Sequence, residues 1–185
     1  MHVVVVSSST RPNRTTHKVA KAILASVKAS GNKGTMLDLM DHPLPMLEYT
    51  YSSHPNPTDA MNNINTILNG AEAFIFVSPE YNGSFSPALK NLVDYFAKKP
   101  FTGKAIGTAT VSVGGMGGMR AAIQMQLLII GAFGYPSPNM LLTGQVNDKF
   151  DENDKVTDEG YHKKLHAFVQ EIVSLGNALS TKTKT

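Results

Sequence analysis

No cysteine occurs anywhere in the chain. Disulfides, thiolate nucleophiles and cysteine-ligated metal sites are therefore excluded. No apolar run approaches the roughly 18 residues of a membrane-spanning helix, so no membrane partner is expected. The opening M-H-V-V-V-V-S-S-S has neither a basic flank nor a long apolar core; it reads as a first strand and not as a signal peptide, which predicts a cytoplasmic protein. Two nucleotide signatures are also missing. G-x-x-x-x-G-K-[ST] is absent, and G-x-G-x-x-G does not follow the first strand. The acidic stretch D-K-F-D-E-N-D-K, 148 to 155, lacks the glycine that a calcium loop requires and reads as a surface loop. His162 and His166 share a helical face but have no third ligand and no intervening glutamate, so a metal site is not expected.

What is present suits one globular domain over residues 1–180, with a frayed tail at 181–185. The 185 residues are 42% hydrophobic and 17% charged, enough to bury a core. A net charge of +3 could mark a nucleic-acid binder, yet the lysines are scattered and several sit in the terminal K-T-K-T. A mildly basic solvated surface is the better reading, with no nucleic-acid partner.

Strand and helix signals alternate along the chain. The β-branched run Val3 to Val6 suits a central strand buried on both faces, and Val19, Ile23 and Val27 mark a helix from Thr15 to Ser30 closed by Gly31. A second strand is expected over Thr35 to Met40. His42 to Pro57, with four prolines, is a long loop. A helix over 59 to 69 follows, then a short apolar strand, Phe74 to Val77, ended by Pro79. Ser86-Pro87 begins a helix with Leu89, Leu92, Val93 and Phe96 on one face. Ala105 to Val111 is a fourth strand, a helix runs to about Ile130, a fifth strand lies around Met140 to Leu142, and a last helix spans about Glu159 to Leu179. This pattern predicts a parallel sheet with helices on both faces and ligands at the carboxyl ends of the strands.

Three strand-to-helix loops carry the chemistry. After strand three, Pro79, Glu80, Tyr81, Asn82 and Gly83 combine exposed backbone N–H and C=O groups with a turn tolerant of positive φ, suited to a flat ring edged with heteroatoms. The first loop, S-S-S-T-R-P-N-R-T-T-H, gathers hydroxyls, two arginines and helix-start N–H groups. Alone it is equally well an ordinary helix cap; beside the second loop it is better explained as a phosphate cradle. The third, S-V-G-G-M-G-G-M-R, is a weak signal by its glycines and gains weight from its place after strand four. Glu80 and Asp94 are too far apart in the pattern to be a paired acid and base. Met116, Met119, Met125 and Leu127 to Ile130 read as core or subunit contact.

With P-E-Y-N-G-S at Pro79 to Ser84 and Leu89 to Asp94 after it, the chain resembles the NAD(P)H-dependent FMN reductases of the flavodoxin-like superfamily, from about Val3 to about Pro138. The resemblance implies a three-layer α/β sandwich with a five-stranded parallel sheet in the order 2-1-3-4-5. It implies FMN as cofactor, NAD(P)H as co-substrate, and a small electron acceptor such as a quinone, an azo compound or free flavin, used in a ping-pong cycle. Ser9, Thr10, Arg11 and Arg14 would hold the phosphate, with Thr15 and Thr16 beside them. Residues 79–83 and Ser112, Gly114 and Gly115 would hold the ring. Ser8 and Asn13 stand where the family's first loop has glycines. No catalytic side chain is expected, since flavin N5 carries the chemistry. Members commonly dimerise through helices three and four, so a homodimer or homotetramer is expected. Two other readings remain: an electron-carrier flavodoxin, although carriers are usually acidic, and a flavin-free binding module on the same scaffold.

Overall fold

The structure, a computed structural model, describes residues 1–182; the side chains of the expected tail, 181–185, lie outside what is described. In chain order the elements are β1 (His2–Ser7), α1 (Thr15–Ala29), β2 (Lys33–Asp38), α2 (Asp59–Asn69), β3 (Ala73–Pro79), α3 (Pro87–Phe96), β4 (Ala105–Val111), α4 (Met119–Gly131), β5 (Tyr135–Pro136), β6 (Leu141–Thr143) and α5 (Glu159–Lys182). All pairings are parallel, in the order β2-β1-β3-β4-β5, with β6 also on β4. This is the expected flavodoxin-like α/β sandwich.

Strand alternation divides the apolar residues between two cores. Val3 and Val5 of β1 pack with α1 and α5, whereas Val4 and Val6 pack with α2, α3 and α4. β3 repeats the division: Ile75 and Val77 face the first core, and Phe74 and Phe76 meet Phe101 in the second at 5.2 and 5.8 Å between ring centroids. Each large side chain so buried stabilises the fold by roughly 1.5–3 kcal/mol. With both faces covered, the polar backbone is left accessible only at the strand ends and loops.

Three boundaries differ from the sequence reading. β2 begins and ends two residues earlier, because its ladder starts at Lys33 opposite His2 and the Asp38 carboxylate turns the chain by accepting from Met40 N at 3.1 Å. β3 runs on through Ser78 and Pro79, which pair with Thr110 and Val111; a proline is tolerated as the last residue of a strand's ladder. The fifth strand position is filled by two short pieces. β5 pairs with Ala105 and Ile106, β6 with Ala109 to Val111, and the segment 137–140, in which Pro138 lacks an N–H, separates them. The long loop 42–57 is held against α3, where Tyr51 stacks on Phe96 at 5.3 Å and Asn91 Nδ2 donates to the Pro45 carbonyl at 2.7 Å.

Buried hydroxyls lock the carboxyl ends of β1 and β3 to the start of α3. Ser86 Oγ caps α3 by accepting from Leu89 N at 3.2 Å and donates to Ser8 Oγ at 2.8 Å, which donates to the Val77 carbonyl at 3.0 Å. Ser86 N also donates to Ser78 Oγ at 2.9 Å. Ser8 therefore has a structural reason to replace glycine: its hydroxyl joins the first two loops. Ser86→Ala should cost about 1–2 kcal/mol by removing the cap. Urea unfolding should detect the loss, with the melting temperature down by roughly 2–8 °C; unchanged stability would show that the serine chain is dispensable.

Candidate functional site

The loops following β1, β3 and β4 converge at one edge of the sheet around a cavity of about 360 Å³. Ser9, Arg11, Arg14, Thr15 and Thr16 from the first loop, Pro79, Glu80 and Tyr81 from the second, and Ser112 from the third all line it. An open basin of about 930 Å³ adjoins, sharing Arg11, Glu80 and Tyr81 and adding Asn82, Phe85, Lys90 and Gln124. Thr10, Gly83, Gly114 and Gly115 do not line the central cavity. Thr10 faces a separate recess with Leu39, His42 and Asn91.

The first loop presents the amino end of α1 to the cavity. No side chain caps this end, and no acidic residue lies in its first turn. Each of the other described α-helices has a side-chain acceptor there: Thr58 for α2, Ser86 for α3, Glu80 for α4 and Asp158 for α5. The free N–H groups and positive dipole end of α1 are of the kind that favours an anion. Asn13, at φ 55°, makes the turn into the helix that a glycine would otherwise make.

The two arginines are placed differently. Arg11 is exposed, with its guanidinium carbon 6.0 Å from the Tyr81 ring centroid, between cavity and basin. Arg14 is nearly buried and paired with Asp38 at the end of β2. Among the described residues its Nε is a buried donor without an acceptor. A phosphate oxygen in the cavity that Arg14 lines supplies the kind of acceptor this donor needs, so the donor set fits FMN. His17 Nδ1 lies 2.9 Å from Asp38 Oδ2 and 3.1 Å from Ser7 Oγ. Burial lowers its pKa below the ordinary histidine value, with Asp38 opposing and Arg14 reinforcing the shift.

The second loop is a tight hairpin. Tyr81 and Ser84 exchange backbone hydrogen bonds at 2.8 and 3.0 Å around Asn82 and Gly83, both at positive φ, 52° and 85°. This is the Asn-Gly turn that the sequence predicts. Ser9 Oγ and Tyr81 Oη share a hydrogen bond of 3.1 Å, tying it to the first loop. The Glu80 carboxylate is turned to α4, accepting from Arg120 Nε at 2.9 Å and Ala121 N at 3.4 Å. Gln124 donates to the Gly83 carbonyl at 3.0 Å and accepts from Ser84 Oγ at 2.6 Å. Arg120 and Gln124 were not singled out from the sequence; their spacing of four on one helix face was the available signal.

In the third loop, Ser112 Oγ accepts from Gly114 N at 3.1 Å. The conformational demand falls on Gly117 and Gly118, at φ 62° and 82°; a Cβ on Gly118 would lie 3.0 Å from that of Thr110. Thr110 Oγ1 donates to the Gly117 carbonyl at 2.8 Å, fixing the entry to α4. Pro12, Asn13, Val111, Val113 and Asn147 complete the cavity lining. Among the described residues no group of three metal-ligating side chains occurs, and no helix is long and apolar enough to cross a membrane.

Known proteins resemble this chain in sequence and in fold. An NADPH azoreductase from Bacillus sp. (strain OY1-2) is 28% identical over 142 residues, covering 77% of this chain and 76% of the relative. The NAD(P)H:quinone oxidoreductase of Solanum tuberosum is 31% identical over 146 residues, covering 76% and 74%. The solved structure of FerB, a flavoenzyme NAD(P)H:(acceptor) oxidoreductase from Paracoccus denitrificans, superposes with a TM-score of 0.81 at 20% identity, covering 96% of this chain and 97% of that one; it shows a shared fold. A model of the NADPH-dependent FMN reductases matches residues 1–148, through the last of the three loops and beyond. The chain therefore belongs to the NADPH-dependent FMN reductase family and is an oxidoreductase with FMN as its cofactor and NAD(P)H as its electron donor.

Proposed function

We propose that the enzyme passes electrons from NAD(P)H to a small acceptor, a quinone, an azo compound or free flavin, by a ping-pong cycle. The observation that carries this reading is the pairing of a narrow cavity at an uncapped helix end with a broad open basin, Tyr81 and Arg11 standing between them. FMN, when bound, supplies the two-electron redox chemistry. The protein binds and orients. The α1 N–H groups with Thr15 and Thr16, Arg11 and the Arg14 Nε donor hold the phosphate; Ser9 and Ser112 lie along the cavity, and the hairpin 79–83 offers backbone groups to the ring. Gly114 and Gly115 contribute through the shape of the third loop. The basin's Phe85 and Pro87 give apolar contact to a planar substrate, and one basin forces donor and acceptor to alternate. Azo and quinone substrates named for the two relatives support this acceptor class. Membership of an enzyme family sets aside the electron-carrier and flavin-free readings.

The same proposal includes one domain over residues 1–180, a cytoplasmic location and a homodimer, or a homotetramer built from it. Supporting the assembly, Met119, Ile123, Leu127 and Ile130 form an exposed apolar face along α4, continued by Phe133 and Tyr135. Patches of this kind commonly mark interfaces.

Three outcomes are expected. Arg11→Ala should weaken FMN binding about 10-fold or more, the worth of a charge-assisted hydrogen bond; calorimetric titration of the folded variant should show it, and an unchanged dissociation constant would remove Arg11 from the site. Double-reciprocal plots at several acceptor concentrations should be parallel, and anaerobic stopped-flow bleaching by NAD(P)H should be at least as fast as turnover. Intersecting lines would overturn the alternating mechanism. Leu127→Glu should convert the parent assembly to a smaller species in sedimentation velocity, and a variant that sediments like its parent would exclude the α4 face.

A further inference from the structure

We propose that a fourth loop, residues 144–148 after β6, completes the cofactor site, with the Asn147 carboxamide donating a hydrogen bond to the phosphate of FMN. This rests on the cofactor reading above and assigns it a residue outside the three loops. Asn147 is the residue from beyond β4 and its loop that lines the central cavity.

Its placement is built rather than incidental. Ser112 N donates to the Thr143 carbonyl at 2.9 Å, Gln145 N to the Gly114 carbonyl at 3.3 Å, and Val146 N to the Ser112 carbonyl at 3.3 Å, so the fourth loop is bonded to the third along its length. Gly144 packs so closely that a Cβ there would lie 2.5 Å from the Gly115 carbonyl oxygen. Gln145 takes a left-handed conformation, φ 49°, which reverses the chain into a single 3-10 turn, Val146–Asp148. Val146 plugs the first core, only 1% exposed. Behind it Thr143 Oγ1 shares a 2.9 Å hydrogen bond with Tyr161 Oη, a phenol whose pKa burial pushes up to about 12, so it stays a neutral partner. With Val146 fixed inward, the next residue is presented to the cavity.

Asn147 shares its cavity with the groups assigned to the phosphate. The cavity that Asn147 lines contains residues 12–16, the uncapped end of α1 and its approach, together with Pro79, Glu80, Tyr81 and Ser112, while Asn82, Ser84 and Phe85 line the adjoining basin. A carboxamide N–H suits a phosphate oxygen and adds no charge that would repel it. A carboxylate in the same place would oppose the phosphate directly.

Titration of the flavin-free protein with FMN and with riboflavin, followed by flavin fluorescence, separates the outcomes. Asn147→Ala should raise the FMN dissociation constant about tenfold, the lower end for a hydrogen bond to a charged group, and leave that of riboflavin unchanged. Asn147→Asp should weaken FMN further than Asn147→Ala. Circular dichroism and a parent-like melting temperature establish that both variants are folded. The assignment is overturned if Asn147→Ala binds FMN like the parent, or if FMN and riboflavin weaken equally. A parent protein that binds neither flavin would overturn the cofactor reading itself, and this inference with it, a result distinct from the other two.

Discussion

Covering both faces of a parallel sheet is the constraint on which the rest of this structure depends. Val3 and Val5 bury one way and Val4 and Val6 the other, so side chains from the strand interiors are committed to two apolar cores. Binding groups must then come from the strand ends. The carboxyl edge is where β1, β3 and β4 release the chain into loops, and there the cavity forms.

Loops at such an edge need fixing if they are to hold a flat cofactor, and here hydrogen bonds do it. The Ser86–Ser8–Val77 chain joins the first and second loops at their roots, and the Ser9–Tyr81 bond joins them again nearer the cavity. Helix α4 holds the second loop from the far side through Arg120 on Glu80 and Gln124 on both carbonyl and hydroxyl of the hairpin. Glu80 therefore acts by position: its carboxylate is occupied by α4, while its backbone remains part of the hairpin. Rigid scaffolding of this sort lowers the entropy lost when a ligand binds.

The electrostatics of the edge are selective. Four α-helix starts have side-chain acceptors, and α1 alone among the described α-helices is left open at the cavity. Arg14, although beside that opening, is held by Asp38 and has just its Nε free, so the opening offers backbone donors as much as side-chain charge. Arg11 remains at the boundary with the basin, free of any ion pair described for it.

Local pattern by itself determined the alternation of strands and helices, the Asn-Gly turn and the proline start of α3. Each of these is set by residues within a few positions of one another: side-chain period, φ preference, a missing N–H. Asn82 and Gly83 adopt positive φ because their local sterics permit it, wherever they are placed in the fold. Tertiary structure decided what depends on distant partners. Nothing near Arg14 in the sequence foretells Asp38, 24 residues away, and Glu80 meets Arg120 across 40. The break in the fifth strand arises because β4 offers two separate stretches of ladder to a proline-interrupted segment. Asn147 lies outside every motif, and it reaches the cavity because backbone bonds to the third loop and the burial of Val146 bring it there. Such pairings are chosen by the packing of whole elements, which a reading of neighbouring residues does not contain.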